Sequence, residues 1–282
     1  MTLKDLNNQS TESISLSDEE LKSLTNAIQQ RHGIDFGCYE TKSLKRRVIR
    51  ALTVFKFSSV HELWIKILRE HAFIYKFMDE ISVGLTAMFR DPVLWRKLKT
   101  LLTTELAGKN IKIWHAGCST GEEVYTMGIV LADSNFKGRV VANATDISKQ
   151  SIETAMRGEY HKMKLDEYEQ NIRGYNPAST LKNYYTEGPA SVTMNPSLIK
   201  HVKFDYHNLI KDPFEENYDF IFCRNVMIYF DNRTKLSLFE KFHKALKPGG
   251  LLIIGFYDAV LPLIDESKFK ILDIDAKVFQ KI

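Results

Sequence analysis

The chain has 282 residues, 44% of them hydrophobic and 26% charged, with a formal net charge of +4. That balance excludes a disordered or fibrous chain, and so small a charge argues against a surface built as a whole to bind nucleic acid. The length accommodates one large α/β domain with a smaller satellite.

The first sixteen residues are polar and rich in Ser, Asn and Thr, and are expected to form a flexible tail (1–16). They lack the apolar core of a signal peptide, and no later apolar run reaches the ~20 residues of a membrane span. Cys38, Cys118 and Cys223 are too few and too widely spaced for a disulfide framework or a zinc site. A cytoplasmic protein without metal is therefore expected.

Order is expected from Ser17, which forms a capping-box pattern with Glu20 ahead of Leu21, Leu24 and Ile28 at helical spacing, with Gly33 placed to end the helix. In the next helix Leu44, Val48, Ala51 and Phe55 form one stripe, while Lys42, Lys45, Arg46 and Arg50 lie opposite it. Ser59 and Glu62 repeat the capping box, and an apolar helical pattern follows from His71 to Ile81. Residues 17–90 thus read as an all-helical domain. Asp91-Pro92 signals an N-cap with proline at the first helical position, opening a linker helix within 91–110.

From Ile111 to the C-terminus (111–282) short apolar strands alternate with amphipathic helices, the pattern of a doubly wound parallel sheet. A polar, Tyr-rich stretch of about 159–203 interrupts the alternation and reads as an inserted subdomain. The segments FKILDID and AKVFQKI close the chain as a hairpin.

The strand IKIWHA runs into Gly117 and Gly121 and then directly into a helix, a geometry that brings backbone amides and a helix N-terminus to a nucleotide-like ligand. Ser119 stands where the dinucleotide fingerprint has its second glycine, which disfavours a pyrophosphate. Glu122 and Glu123 would repel a phosphate but could hold an ammonium group, such as that of a methionine moiety. Taken alone, the loop is equally a glycine turn followed by two dipole-favoured glutamates. Asp146, about 25 residues beyond the loop, is placed either for ribose hydroxyls or as a cap for the following helix. Arg224 and Asn225 end the strand YDFIFCRN at the edge where open α/β sheets form their ligand crevice, or form a plain turn there.

The strings GLTAMFRD, HAGCSTGEE, NATDIS and FCRNVMIYFD occur in that order, and through them the chain from Ser17 onward resembles the chemotaxis receptor methyltransferases, the CheR family. The resemblance implies an α/β, Rossmann-like class I methyltransferase sheet with a terminal antiparallel hairpin, an inserted small β-subdomain and an N-terminal all-helical domain. It implies S-adenosyl-L-methionine as cofactor, S-adenosyl-L-homocysteine as product, and methyl esterification of glutamates on the cytoplasmic helices of a chemoreceptor or similar signalling coiled coil. By motif, Thr86, Arg90, Gly117, Glu123, Asp146, Asn208, Leu209, Asn225 and Val226 would line the cofactor pocket. Arg90 and Tyr229 would lie at the reacting centre, and Lys42, Lys45, Arg46 and Arg50 would meet the receptor. Gly84 departs from the family's Asn before the LT pair. The loop around Tyr185–Gly188 lacks the extra glycines of members that grip a receptor tail, which speaks against tethering.

A glutamate acceptor, with a reference pKa of about 4.3, is already an anion at neutral pH, so no general base is expected. A monomer without membrane insertion is expected. The alternatives are a nucleic-acid methyltransferase or a non-catalytic cofactor-binding scaffold. No Asn-Pro-Pro-Tyr motif follows the YDFIFCRN strand and no Pro-Cys pair occurs, which disfavours the nucleic-acid reading.

Overall fold

The structure is a computed structural model that describes residues 15–81, 86–258 and 261–282. Gly84 and all but the last two residues of the expected tail lie outside the described residues. The chain divides into two compact units, Met1–Ser82 and Val83–Ile282.

The first unit is helical: α1 (Asp18–His32), α2 (Thr41–Val54), α3 (Val60–Arg69) and α4 (Phe73–Ile81). Ser17 and Glu20 make the reciprocal capping box, and Gly33 ends α1 in the left-handed conformation. α1 packs on α3 and α2 on α4, burying Leu24, Ile28, Val48, Ala51, Leu63, Ile67, Phe77 and Ile81. The expected tail is too long by at least one residue: Leu16 is buried, because an apolar side chain next to the α1 cap gains by leaving water.

The second unit begins with α5 (Pro92–Thr103), which corrects the reading of 91–110 as a linker. Leu94, Trp95, Leu98 and Leu102 are buried in this unit's core, so the helix is a wall of the sheet domain. Asp91 does not cap it: the residue has φ +58° and its carboxylate is turned elsewhere.

The sheet contains β1 (Ile111–Ala116), β2 (Val140–Asp146), β6 (Val202–Tyr206), β7 (Tyr218–Cys223), β8 (Leu246–Ile254), β9 (Phe269–Asp273) and β10 (Val278–Lys281). Its seven strands run in the order β6-β2-β1-β7-β8-β10-β9. The first five in that order are parallel, and β10 pairs antiparallel with both β8 and β9, so the expected terminal hairpin joins the sheet edge. Central β1 and β7 are apolar and almost wholly buried, as strands covered on both faces must be. The strand order reverses between β1 and β7, which places a crevice at their carboxyl ends.

α6 (Glu122–Asp133), α7 (Lys149–Arg157) and α9 (Asn232–Ala245) connect the strands. The insertion forms a separate three-stranded antiparallel sheet from β3 (Glu159–His161), β4 (Tyr185–Glu187) and β5 (Ser191–Met194), in the order β3-β5-β4. It also carries α8 (Leu165–Tyr175), which packs on α5. Among the described residues no helix is long and apolar enough to cross a membrane.

Candidate active site

β1 delivers the chain to Gly117 at φ +84°, where a Cβ would lie 2.4 Å from Val226 Cγ2. Glycine is required there because the turn after β7 presses against the bare Cα. The amides of Gly117 and Cys118 both donate to the Thr145 carbonyl at 2.8 and 2.9 Å. The Ser119 amide donates to Asp146 Oδ2 (2.8 Å) and the Ser148 amide to Asp146 Oδ1 (2.9 Å). Asp146 therefore stitches the loop after β1 to the entry of α7, whose N-cap is Ser148. Gly121 answers to packing: a Cβ there would lie 2.9 Å from the Ala155 Cα on α7.

The two glutamates that open α6 point to different tasks. Glu122 is completely buried and accepts from Lys164 Nζ (2.9 Å), the Tyr168 hydroxyl (2.8 Å) and Thr120 Oγ1 (2.6 Å). It anchors the insertion to the loop and is no longer available to a ligand. Glu123 Oε1 is 2.8 Å from His115 Nδ1, and its Oε2 accepts from Arg224 Nη1 at 3.0 Å. Burial would push the Glu123 carboxyl up, but the His115 hydrogen bond and the Arg224 charge outweigh it and hold the group below the usual carboxylate range.

Arg224 leaves the end of β7 with its side chain only 4% exposed. Besides Glu123, it donates through Nη2 to the Arg90 carbonyl (3.0 Å) and to Asp91 Oδ2 (2.7 Å), and its guanidinium lies 5.7 Å from the Trp95 ring centroid. The segment before α5 is held at further points: the Phe89 amide donates to Thr126 Oγ1 (3.0 Å), and Asn171 donates to the Met88 carbonyl (2.9 Å).

The turn after β7 is organised by a residue that the sequence reading missed. Asp258 is completely buried, and its carboxylate accepts from the amides of Asn225 (2.8 Å), Ile228 (3.0 Å) and Gly255 (2.6 Å). Burial raises its pKa to about 6, with the three amides and Arg224 opposing the rise. A Cβ on Gly255 would meet the Asn225 amide nitrogen at 2.5 Å, so the chain closes tightly around this carboxylate. His115 was also missed: a histidine in a buried apolar strand gives little local signal, yet it stacks on Phe222 and orients Glu123. A polar residue near the carboxyl end of the strand IKIWHA was the available clue.

Gly117 and Val226 thus meet directly, and Asn225 follows Arg224, which joins Glu123 to the Arg90 backbone. Tyr229 is half-buried in the short turn Met227–Tyr229, and Thr86 is half-buried ahead of Arg90. Asn208 Oδ1 accepts from the Ile210 and Lys211 amides (2.9 and 3.3 Å), so that oxygen caps its own turn. Leu209 beside it is buried. Phe89, Asp91, Ser119 and Asn225 all carry positive φ without being glycine, which concentrates backbone strain on the segments that converge here.

On α2 of the first unit, Lys45 pairs with Asp18 (2.8 Å) and Arg50 with Glu80 (2.9 Å), whereas Lys42 and Arg46 are exposed. The four do not form one uncompensated basic face, because acidic side chains neutralise half of them.

Comparison with known proteins matches residues 84–278 to the SAM binding domain of CheR methyltransferase and residues 19–82 to the CheR methyltransferase all-alpha domain. Cher3 of Pseudomonas putida is 31% identical over 265 residues, covering 94% of this chain and 97% of that protein. The chemotaxis protein methyltransferase of Escherichia coli K12 is 29% identical over 257 residues, covering 88% and 86% respectively. That of Listeria innocua is 27% identical over 241 residues, covering 84% and 88%.

Proposed function

This chain belongs to the CheR methyltransferase family of S-adenosylmethionine-dependent enzymes, and on that premise we propose that it esterifies glutamate side chains on the cytoplasmic helices of a chemoreceptor. The observation that carries the reading is the match of both units, in order, to the two domains of one chemotaxis family.

The residues at the sheet edge fit the cofactor. Glu123 is held ionised beside the loop after β1, suited to an ammonium group, and Asp146 offers carboxylate oxygens at the end of β2, suited to ribose hydroxyls. Gly117 lets the Val226 turn close against the loop after β1, since a Cβ there would meet the Val226 side chain. S-adenosylmethionine supplies a methyl group already activated on a sulfonium. The chain's task is then to bind, orient and exclude water.

The acceptor carboxylate is ionised near neutral pH and is its own nucleophile, so no side chain need remove a proton. Arg90, whose carbonyl is fixed by Arg224 and by Trp95 Nε1 (2.9 Å), orients that carboxylate in this reading. Tyr229, on the turn held by Asp258, donates a hydrogen bond at the same centre. Esterification removes one negative charge from a receptor helix, an electrostatic change that a helical bundle can transmit. The proposed partner places the reaction in the cytoplasm, with Lys42 and Arg46 facing the acidic acceptor.

The test is incubation with methyl-labelled cofactor and purified receptor cytoplasmic domains, followed by alkali treatment. Volatile labelled methanol is expected. Label that is stable to alkali, or that partitions with RNA, would overturn the assignment.

A further inference from the structure

The Arg224 guanidinium is buried, permanently charged, and divided between two segments that are distant from it in sequence. One carboxylate partner, Glu123, opens α6, and the other, Asp91, precedes α5. Both Nη atoms are engaged, Nη1 facing Glu123 and Nη2 shared by Asp91 and the Arg90 carbonyl, while the buried Nε has no hydrogen-bond partner among the described residues. Trp95 of α5 covers its face. The two anions differ in burial, Glu123 at 15% exposed being the inner counter-ion and Asp91 at 42% the outer one, so Arg224 keeps its buried compensation when the outer contact is altered. Asp91 gives up the usual capping role of its position and adopts φ +58° to make this contact, which marks the arm as a designed feature of the segment.

We propose that Arg224 is a positioning residue with two separable arms, one fixing the Glu123 carboxylate for the cofactor and the other fixing the Arg90–Asp91 backbone for the acceptor. The cofactor arm rests on family membership. The acceptor arm rests on the glutamate-esterification reading above.

The two arms predict different kinetic signatures. Arg224→Lys keeps the charge but loses the fork, since one ammonium cannot span Glu123, Asp91 and the Arg90 carbonyl in the same geometry. Its dissociation constant for S-adenosylhomocysteine, measured by calorimetry without acceptor, should rise about tenfold or more. Asp91→Asn leaves the Arg224–Glu123 contact in place and alters a side chain that is 42% exposed, so folding should survive. Here the S-adenosylhomocysteine constant should stay within about threefold of wild type, while kcat on receptor domains at saturating cofactor falls about tenfold or more.

Circular dichroism and thermal melting accompany both variants. If Arg224→Lys folds and binds S-adenosylhomocysteine as wild type does, the cofactor arm is wrong. If Asp91→Asn weakens S-adenosylhomocysteine by tenfold, or leaves kcat untouched, the separation into arms is wrong. Should Arg224→Lys fail to fold, the Asp91→Asn split between affinity and kcat decides the matter. Wild type that binds S-adenosylhomocysteine yet methylates no receptor glutamate would sink the proposed function instead, leaving the cofactor arm to be judged by calorimetry.

Discussion

Replacing Asp258 with asparagine should remove an acid limb from the pH–rate profile while leaving stability almost unchanged. Burial lifts this carboxyl in the native protein from its ordinary 3.8 to about 6. Taking ~1.4 kcal/mol per pKa unit, the fold favours its neutral form over its ionised form by about 3 kcal/mol relative to the unfolded chain. The native pKa is the higher, so this stabilisation is fully present below pH ~4, declines as pH rises, and is gone above ~6. An asparagine carries no charge to bury, but it leaves one of the three amide donors without its anion, at a cost of ~1–3 kcal/mol. The two effects oppose each other, so the melting temperature at pH 7 should move by no more than about 5 °C. Activity should respond differently. On protonation one oxygen gives up acceptor capacity that the amides of Asn225, Gly255 and Ile228 require, and the turn carrying Tyr229 loosens. Wild-type kcat/KM should fall as pH drops through ~6, whereas Asp258→Asn should be roughly tenfold slower at pH 7.5 with no limb there. The charged or titratable groups facing Asp258 are Arg224, Cys223, and Lys235, whose ammonium reaches the Asp258 carbonyl at 3.4 Å. The guanidinium stays charged throughout, and burial pushes the Cys223 thiol well up, away from this window. Label transfer to receptor domains from pH 5 to 8, with melts at each pH, tests the reasoning. An unchanged acid limb in the variant, or a loss of more than ~10 °C in melting temperature, would refute it.

Other perturbations separate the remaining roles. Glu123→Gln should weaken S-adenosylhomocysteine by about tenfold to a hundredfold in calorimetry, because it removes the anion that His115 and Arg224 hold in place. Gly117→Ala should destabilise the protein by ~1–3 kcal/mol in denaturant melts, since the new Cβ meets Val226 and the backbone is at φ +84°. Glu122→Ala leaves the buried Tyr168 hydroxyl unpaired and frees Lys164 to solvent, and should expose the insertion to limited proteolysis between residues 159 and 203, at a stability loss of ~1–3 kcal/mol. Reversing charge at Lys42 and Arg46 should raise KM for receptor domains several-fold at low salt with cofactor affinity intact; the same change at Lys45 and Arg50 should instead lower stability, because they pair with Asp18 and Glu80.

The architecture was legible wherever the signal is local. Ser17 with Glu20, and Gly33 fifteen residues beyond Asp18, mark a helix through bonds formed within a few residues. β1 and β7 announce themselves as buried parallel strands because apolar side chains on both faces leave no alternation. Two helices were only partly legible. Pro92–Thr103 carries a perfectly good amphipathic pattern, which tells that one face is buried but not which core receives it. The insertion reads as polar and turn-rich, yet α8 within it buries Tyr168, Ile172 and Tyr175, whose periodicity is diluted by the charged residues between them.

The site divides along the same physical line. Gly117, Glu123 and Asp146 could be singled out because a strand, a glycine turn and a helix start form one continuous stretch, and the chemistry lies where they join. What that stretch could not reveal is how its adjacent glutamates differ, since the difference is made elsewhere: Lys164 and Tyr168 of the insertion claim Glu122, while Arg224, 101 residues away in sequence, claims Glu123. Asp258 is the extreme case. It follows two exposed aromatics, and becomes significant only because folding buries it against three amides, two of them roughly thirty residues earlier. Partners at such separations are fixed by sheet order, and sheet order is a property of the whole chain. Burial of a carboxylate without a cation salt-bridged to it is unfavourable unless the backbone amides around it are already aimed inward. Those amides belong to the turn that carries Asn225 and Tyr229, so the same aim that makes Asp258 tolerable also fixes the geometry of the residues placed at the reacting centre.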